Sequence, residues 1–489
     1  MAISLCLAAS FIGVTSVEAT FLADVIEKRQ FEQVAPLLAT GEDVNAAQVD
    51  GMTPLHWAAF HDQADIVRTL LAKGANASAV NRYGIHPLYL ACLNGNAAMV
   101  KALLQAGADP SVAVLEGELP LMTASRTGDV ESVDCLLSAG ADVNGEGRDG
   151  QTAAMWAAAE GHVDVMERLF AADADLGRRL PSSGYSAFFF AVREGQAPVV
   201  RFLLDKGQDV NEAMKPANAG GKRPMKNTSA LILAIENGHF DLAVELLRRG
   251  ADPNDERTGY TPLHTLTWIR KPDIGESSAG APKPQGSGRR NSVQFIRELV
   301  KAGADVNKRL ERGRKAGGAH YSRIGATPFL LAADRADLPY MKLLVELGAD
   351  PMLPNVDGTT PLMVAAGIGS SAPEEEAGNE EECLAAVQYL VSLGADLNTV
   401  DASGETAMHG AAYKNIPAVV YYLAEAGADI TIWNQDNKAE RTPLLIAEGY
   451  RPGNFKPSFE TVEAITKVML AAGVKPPSGP KPHHTNYAN

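Results

Sequence analysis

Apolar residues in this chain recur three and four positions apart in short bursts, and the bursts repeat. Val67, Leu70 and Leu71 make one, and Val133, Leu136 and Leu137 make another. Each predicts a short helix with a single buried stripe. Glycine closes these helices at Gly74, Gly107, Gly140, Gly207, Gly250, Gly303, Gly348, Gly394 and Gly427, because a left-handed C-terminal residue costs Gly little. Asp/Asn pairs and a further Gly then turn the chain back. No such unit buries its own apolar face, so neighbouring units must stack.

The period of the pattern is regular. With the Thr of Thr53-Pro54-Leu55-His56 as marker, the equivalents His86, Leu119 and Thr152 follow at intervals of 33. The series continues at Ser186, Ser229, Thr261, Thr327, Thr360, Thr406 and Thr442. A Thr there can cap a helix, and Pro suits its first turn, where no backbone donor is needed.

The stretches TPLH at Thr53–His56 and Thr261–His264, with GADVN at Gly140–Asn144 and Gly303–Asn307, resemble ankyrin repeats over nearly the whole chain. The resemblance implies an all-α solenoid of about twelve helix-turn-helix units with β-hairpin fingers and caps at both ends. Phe21–Asn45 has only the second half of the pattern and suits an N-terminal cap, and Thr442–Val474 lacks a finger and suits a C-terminal one. The expected limits are 1–19 for a signal segment, 20–475 for the array and 476–489 for a flexible tail. The family further implies a non-catalytic scaffold that binds a partner protein through its concave face and fingers. Its histidines at His56, His264 and His409 are implied to make structural hydrogen bonds.

Departures from the period locate insertions near 211–227, 270–290, 308–325, 370–382 and 450–457. Lys215, Lys222, Arg223 and Lys226 make one finger basic, and Lys308, Arg309, Arg312, Arg314, Lys315 and Arg323 another. Glu374–Glu376 and Glu380–Glu382 make an inter-helix loop acidic. Fingers and inter-helix loops leave an ankyrin stack at opposite ends, so charge is expected to be segregated. The basic fingers are either solvated loops, which cost little, or Arg-rich contacts for an acidic protein or a phosphate-bearing ligand. A subunit docking an acidic enzyme in a periplasmic complex is the alternative to a plain scaffold.

Candidate partner contacts are Met52, Tyr83, Ile85, Tyr185 and Tyr260 on fingers, and Phe60, His61, Leu93, Arg126, Arg193 and Tyr413 at the ends of first helices. Lys222, Arg223, Arg312, Arg314, Lys315, Tyr321 and Arg323 join them from the basic insertions. Aromatic and Arg anchors are the usual hot spots of an interface.

Charge narrows the choice of partner. The 44 Lys+Arg against 59 Asp+Glu give a net charge of -15, which excludes general attraction to nucleic acid, and no nucleic-acid partner is expected. No phosphate loop, HExxH or GxSxG is present, so no cofactor, metal or catalytic residue is expected. An enzyme would have only His320, Tyr321 and the Arg cluster as reagents, and the pair His483–His484 lacks further ligands. Cys92, Cys135 and Cys383 show neither disulfide framework nor metal spacing. The opening apolar run ends in Val17-Glu18-Ala19, as a signal peptide does, without the usual preceding Lys or Arg. It is expected to direct a periplasmic or secreted protein; a cytoplasmic protein whose first helix packs on the array is the alternative. No other stretch is long enough to span a bilayer.

Overall fold

The computed structural model describes residues 22–115, 117–216, 226–275, 284–313, 321–453 and 456–477. The expected signal segment and most of the expected tail lie outside them. Among the described residues all regular structure is helical, and one isolated antiparallel bridge joins Ala213 to Ser229. The chain groups into two compact units: Met1–Pro181 with Tyr185–Ala191 and Pro198–Leu203, and Ser182–Gly184 with Val192–Ala197 and Leu204–Asn489.

In the first unit the helix pairs include Pro54–Phe60 with Ala64–Ala72, Pro87–Leu93 with Ala97–Gln105, Pro120–Thr127 with Val130–Ser138, and Ala153–Glu160 with Val163–Ala171. First helices pack on first helices of the adjacent pair, and second helices on second. The N-terminal segment has both halves of a pair rather than the second alone. Leu22–Glu27 buries Leu22, Ala23, Val25 and Ile26 against Pro54–Phe60, and Val34–Ala39 follows. Its first helix is six residues long and has no TPLH marker, which is why its period is not legible.

The second unit continues with Ala230–Glu236 and Phe240–Arg248, Pro262–Arg270 and Ser292–Lys301, Pro328–Asp334 and Leu338–Glu346, then Pro361–Ala365 and Glu380–Ser392. Ala407–Lys414 with Pro417–Glu425 and Pro443–Ala447 with Phe459–Ala471 complete it. Among the described residues the fingers turn back without a strand ladder. In the first, one cross-bond runs from the Gln48 N–H to the Met52 carbonyl at 2.9 Å; the next finger binds back through the Arg82 N–H to the Asp50 carbonyl at 3.0 Å.

Two side-chain types tie one repeat to the next. The His56 Nδ1 accepts from the Thr53 N–H at 3.2 Å and lies 2.8 Å from the Thr53 hydroxyl, closing a capping box. Its Nε2 lies 3.0 Å from the Ile85 carbonyl of the next repeat, so that nitrogen carries the proton and donates. His264 bridges Thr261 to the Ala326 carbonyl at 3.2 Å, and His409 bridges Thr406 to the Gln435 carbonyl at 3.2 Å. His86 takes the Thr position itself, accepting from the Tyr89 N–H at 3.1 Å and reaching the Val112 carbonyl at 2.8 Å.

The Asn that ends the GADxN text makes the second tie. The Asn254 amide donates to the Gly303 carbonyl at 2.9 Å and accepts from the Asp305 N–H at 2.8 Å. Asn307 treats Gly348 and Asp350 in the same way, and Asn211 treats Gly250 and Asp252. In the first unit Asn45 pairs with Gly74 and Asn76, and Asn144 with Asp173 and Asp175. The partner backbone is presented in fixed form because the helix end before it is closed: Gly74, at φ +89°, lets the Ala75 N–H return to the Leu70 carbonyl at 3.0 Å.

Burial holds the His264 ring neutral, with its pKa lowered to about 3, and the His409 ring likewise, to about 4. The unfolded chain takes up a proton at each below about pH 6.5, and the folded chain does not. Each contribution to stability is therefore intact above pH 6.5 and lost as pH falls toward the folded value, at about 1.4 kcal/mol per pH unit. In urea denaturation at pH 7 and pH 5, the parent should lose about 2 kcal/mol more than a His264→Gln variant over that interval. Equal losses in parent and variant would show that the ring titrates normally in the fold.

Candidate functional site: a polar cavity walled by the insertions

The insertions of the second unit fold onto one another. At the end of the helix Pro262–Arg270, Arg270 makes a two-pronged pair with Asp337, at 2.8 and 3.1 Å, and donates to the Ser292 hydroxyl at 2.6 Å. It thereby joins the two ends of the insertion beginning at 270. The pair is buried, with the guanidinium over the Tyr340 ring, so the planar fork is satisfied on its edge and its face. Lys271 reaches the Ala336 carbonyl at 3.0 Å and Glu382 at 2.9 Å. The Gly275 N–H donates to the Glu375 carbonyl at 2.8 Å.

The acidic loop is not a free charged tip. The Glu376 carboxylate accepts from the Ser370 hydroxyl at 2.5 Å, the Ser371 N–H at 2.8 Å and the Ala372 N–H at 3.0 Å. Glu380, Glu381 and Glu382 form the first turn of the helix Glu380–Ser392, capped by Asn379, where negative charge opposes the helix dipole favourably. The expected segregation of charge is therefore overturned. Basic Arg323, from the finger, and acidic Glu376, from the inter-helix loop, line one cavity of about 170 Å3.

The walls of this cavity are mostly polar. Arg335 is engaged by Asp273, at 2.9 and 3.1 Å, and by the Lys271 carbonyl at 2.7 Å. Burial works against the Asp273 charge, but the hydrogen bonds and charge of Arg335, the Ala377 N–H and the charge of Arg323 together outweigh it and keep its pKa low. Lys414, buried, donates to the Ala377 carbonyl at 2.6 Å. Arg323 has one long bond, 3.4 Å, to the Tyr260 hydroxyl. Burial opposes its charge too, and the neighbouring Tyr321 and Asp334 more than offset this, holding its pKa up.

Asp334 ends the helix Pro328–Asp334. Burial raises its pKa against the pull of Arg323, Arg335 and Lys414. The buried Tyr321 hydroxyl lies beside Asp334 but has no hydrogen bond of standard geometry among the described residues. Gly367 and Gly369 form the facing wall. A Cβ on Gly369 would stand 2.6 Å from the Tyr321 ring. A larger hollow of about 740 Å3, lined by Arg270, Lys271, Asp337 and Glu382 among others, has its charged walls paired as described above.

The other candidate contacts are scattered. Phe60 (50% exposed), Tyr83 (50%) and Leu93 (39%) are open to solvent. His61 is half-buried, stacks on Trp57 and lies 3.1 Å from the Glu27 carbonyl; Arg126 pairs with Glu118 at 3.0 Å over the Trp156 ring. Arg193 is exposed and pairs with Glu194 at 2.7 Å, and Arg312 is exposed. Tyr260 packs edge-on to Trp268. Lys222, Arg223, Arg314, Lys315 and His320 lie outside the described residues.

Four expected surface residues are buried instead. Met52 is covered by the next finger, with the Asn81 amide 3.3 Å from its sulfur, and Tyr185 packs on Phe189 and Phe190. Tyr321 lines the cavity, and Tyr413 (2% exposed) donates to Glu405 at 2.9 Å. Lys414 beside it is also buried, against the loop of residues 367–377. Ile85 is half-buried, its carbonyl occupied by His56. The buried thiols Cys92 and Cys383 have their pKa pushed up by burial. No cluster of His, Cys, Asp and Glu able to hold a metal occurs among the described residues.

Family models for ankyrin repeats match residues 22–114 and 121–214 (ankyrin repeats, 3 copies), 226–257 (ankyrin repeat) and 377–424 (ankyrin repeats, many copies), more than half of the chain together. The chain belongs to the ankyrin repeat family. It is 32% identical over 280 residues to an ankyrin repeat and KH domain-containing protein of Caenorhabditis briggsae, covering 54% of this chain and 9% of that protein. Against ankyrin repeat and SAM domain-containing protein 6 of Danio rerio it is 28% identical over 169 residues, 34% of this chain and 21% of that one. Against human ankyrin repeat domain-containing protein 63 it is 32% identical over 239 residues, 47% and 53% of the two chains. These relatives are animal proteins, so they lend nothing to a bacterial or exported origin. Ankyrin repeats imply a protein-binding role.

The glycine wall is testable by comparison within the array. Gly394 and Gly369 both have left-handed backbone, at φ +92° and +101°, but a Cβ on Gly394 would meet nothing within 4 Å. Gly394→Ala should cost about 1 kcal/mol in chemical denaturation, and Gly369→Ala about 1–3 kcal/mol more, because the Tyr321 ring must move. Equal costs would mean that the ring does not rest on Gly369.

Proposed function

We propose that this chain is a non-catalytic scaffold whose partner protein is held by the fingers and first-helix ends of its ankyrin repeats, the side the family presents as a concave face. One observation carries the placement. Phe60 and Leu93 close successive first helices at equivalent positions 33 apart and are both exposed, with Tyr83 exposed on the finger between them. Large apolar side chains shown to solvent in register suit a desolvated anchor cluster. Phe60 is steadied by edge contacts with Trp57 and His61 at 5.6 and 5.2 Å, so little freedom is lost on binding.

The reading with an acidic enzyme docked on basic fingers has weaker support. Lys308 is paired with Glu256 and Glu311, Arg309 donates to the Pro354 carbonyl, and Arg323 lies in the cavity. We further propose export, on the strength of the apolar opening and its Val17-Glu18-Ala19 boundary, so that the partner is met outside the cytoplasm.

Affinity capture from the source cells should retain a partner on the parent protein at both low and high salt. It should lose that partner by tenfold or more with Phe60→Ala and Leu93→Ala combined. Retention by the double variant, or release by salt alone, would move the interface to a charged surface. Intact mass of the protein recovered from its native compartment should correspond to a chain beginning at Thr20; an uncleaved start would overturn the export reading.

A further inference from the structure

Four groups on the cavity wall of the second unit have hydrogen-bonding capacity to spare. Arg323 has only its 3.4 Å contact with the Tyr260 hydroxyl, and Lys414 uses one of three N–H donors on the Ala377 carbonyl. Asp334 lies among Arg323, Arg335 and Lys414 with the Tyr321 hydroxyl beside it, and that buried hydroxyl makes no hydrogen bond of standard geometry among the described residues. The remaining charges are served: Asp273 by Arg335, and Glu376 by a hydroxyl and two backbone N–H groups. A buried charge or hydroxyl left without a partner is costly. Two cations, a carboxylate and a buried hydroxyl with bonding capacity left over, all converging on one space of about 170 Å3, several times what a water molecule requires, describe a ligand's surroundings rather than a packing fault.

The signs of the spare groups select the ligand. A simple anion drawn to Arg323 and Lys414 would also face Asp334, and a simple cation drawn to Asp334 would face Arg323 and Lys414. A small molecule with both signs satisfies all three. We propose that this cavity binds a free α-amino acid, its carboxylate taken by Arg323 and Lys414, its ammonium group by Asp334, with the Tyr321 hydroxyl as a further hydrogen-bonding partner. Val364, Gly367, Ile368 and Gly369 complete the lining, so the volume of the cavity sets the limit on the ligand's side chain. This site stands apart from the protein-binding surface proposed above and does not depend on it.

The test uses the full chain. Thermal-shift screening of the twenty free amino acids, followed by calorimetric titration of those that raise the Tm, should identify at least one that binds. Acetate, methylammonium and inorganic phosphate at the same concentrations should leave the Tm unchanged. Asp334→Asn and Arg323→Met should each weaken binding tenfold or more. Because those two variants each remove a charge from a cluster of charges, Tyr321→Phe is the decisive variant: it removes only a hydroxyl that makes no hydrogen bond of standard geometry in the free protein, so the fold should be kept while affinity falls about tenfold. No shift with any amino acid would mean that the cavity holds water only and would overturn the proposal. So would binding of acetate or phosphate as tight as that of the amino acid, or a Tyr321→Phe variant that binds like the parent.

Discussion

Everything in this molecule depends on each repeat's being held in register by the next, because no single helix pair encloses a core. Apolar packing between adjacent helices supplies attraction without direction. Direction comes from the imidazole of the TPLH text and the amide of the GADxN text, each a side chain of one repeat bonded to the backbone of the following one. The two act at different points of the unit, one at the start of the first helix and one after the end of the second. Two fixed points on a short rigid unit set its orientation as well as its spacing.

The insertion at 270–290 leaves both ties intact: His264 reaches Ala326 across 62 residues of chain and Asn254 reaches Gly303 across 49, the same contacts that span about half that distance in uninterrupted repeats. The surplus chain is then free to build something of its own. Here it brings oppositely charged loops together, neutralising most of the charge that makes them conspicuous in the sequence and leaving a few groups facing a shared space.

The helices, their caps and the glycine stops were legible because each depends on residues within a few positions of one another; the structural role of the TPLH histidines came from the family resemblance, since the carbonyls they reach lie 26 to 62 residues away. The Asn ties were visible as residues but not as bonds, since their partners lie 29 to 51 residues downstream and are defined only once repeats stack. The cavity was illegible for the same reason at a larger scale. Arg323 reads as one more basic residue of a solvated finger until it meets the loop of residues 367–377 at the cavity, where that loop also covers Lys414, and Tyr413 reads as a surface position until Glu405 and Asn437 close on its hydroxyl. Exposure in a regular array follows from register, and an insertion changes exposure on repeats whose own sequence is ordinary.

The tie made by Asn144 has a chemical lifetime. It is followed by Gly145, and an asparagine before glycine is the combination in which the following backbone nitrogen most readily attacks the side-chain amide and releases ammonia. The resulting cyclic imide opens with water to leave a carboxylate, either where the amide stood or, with the backbone rerouted through the side chain, at the former backbone carbonyl. Nδ2 now donates to the Asp173 carbonyl; in the first of these products an anionic oxygen would face that carbonyl, turning an attraction between neighbouring repeats into a repulsion. Holding both ends of the Asn144 amide in hydrogen bonds restrains the rotation that the attack requires. The contact that keeps the repeats aligned thus also protects the residue that makes it, and the first local opening at this joint would begin to remove both.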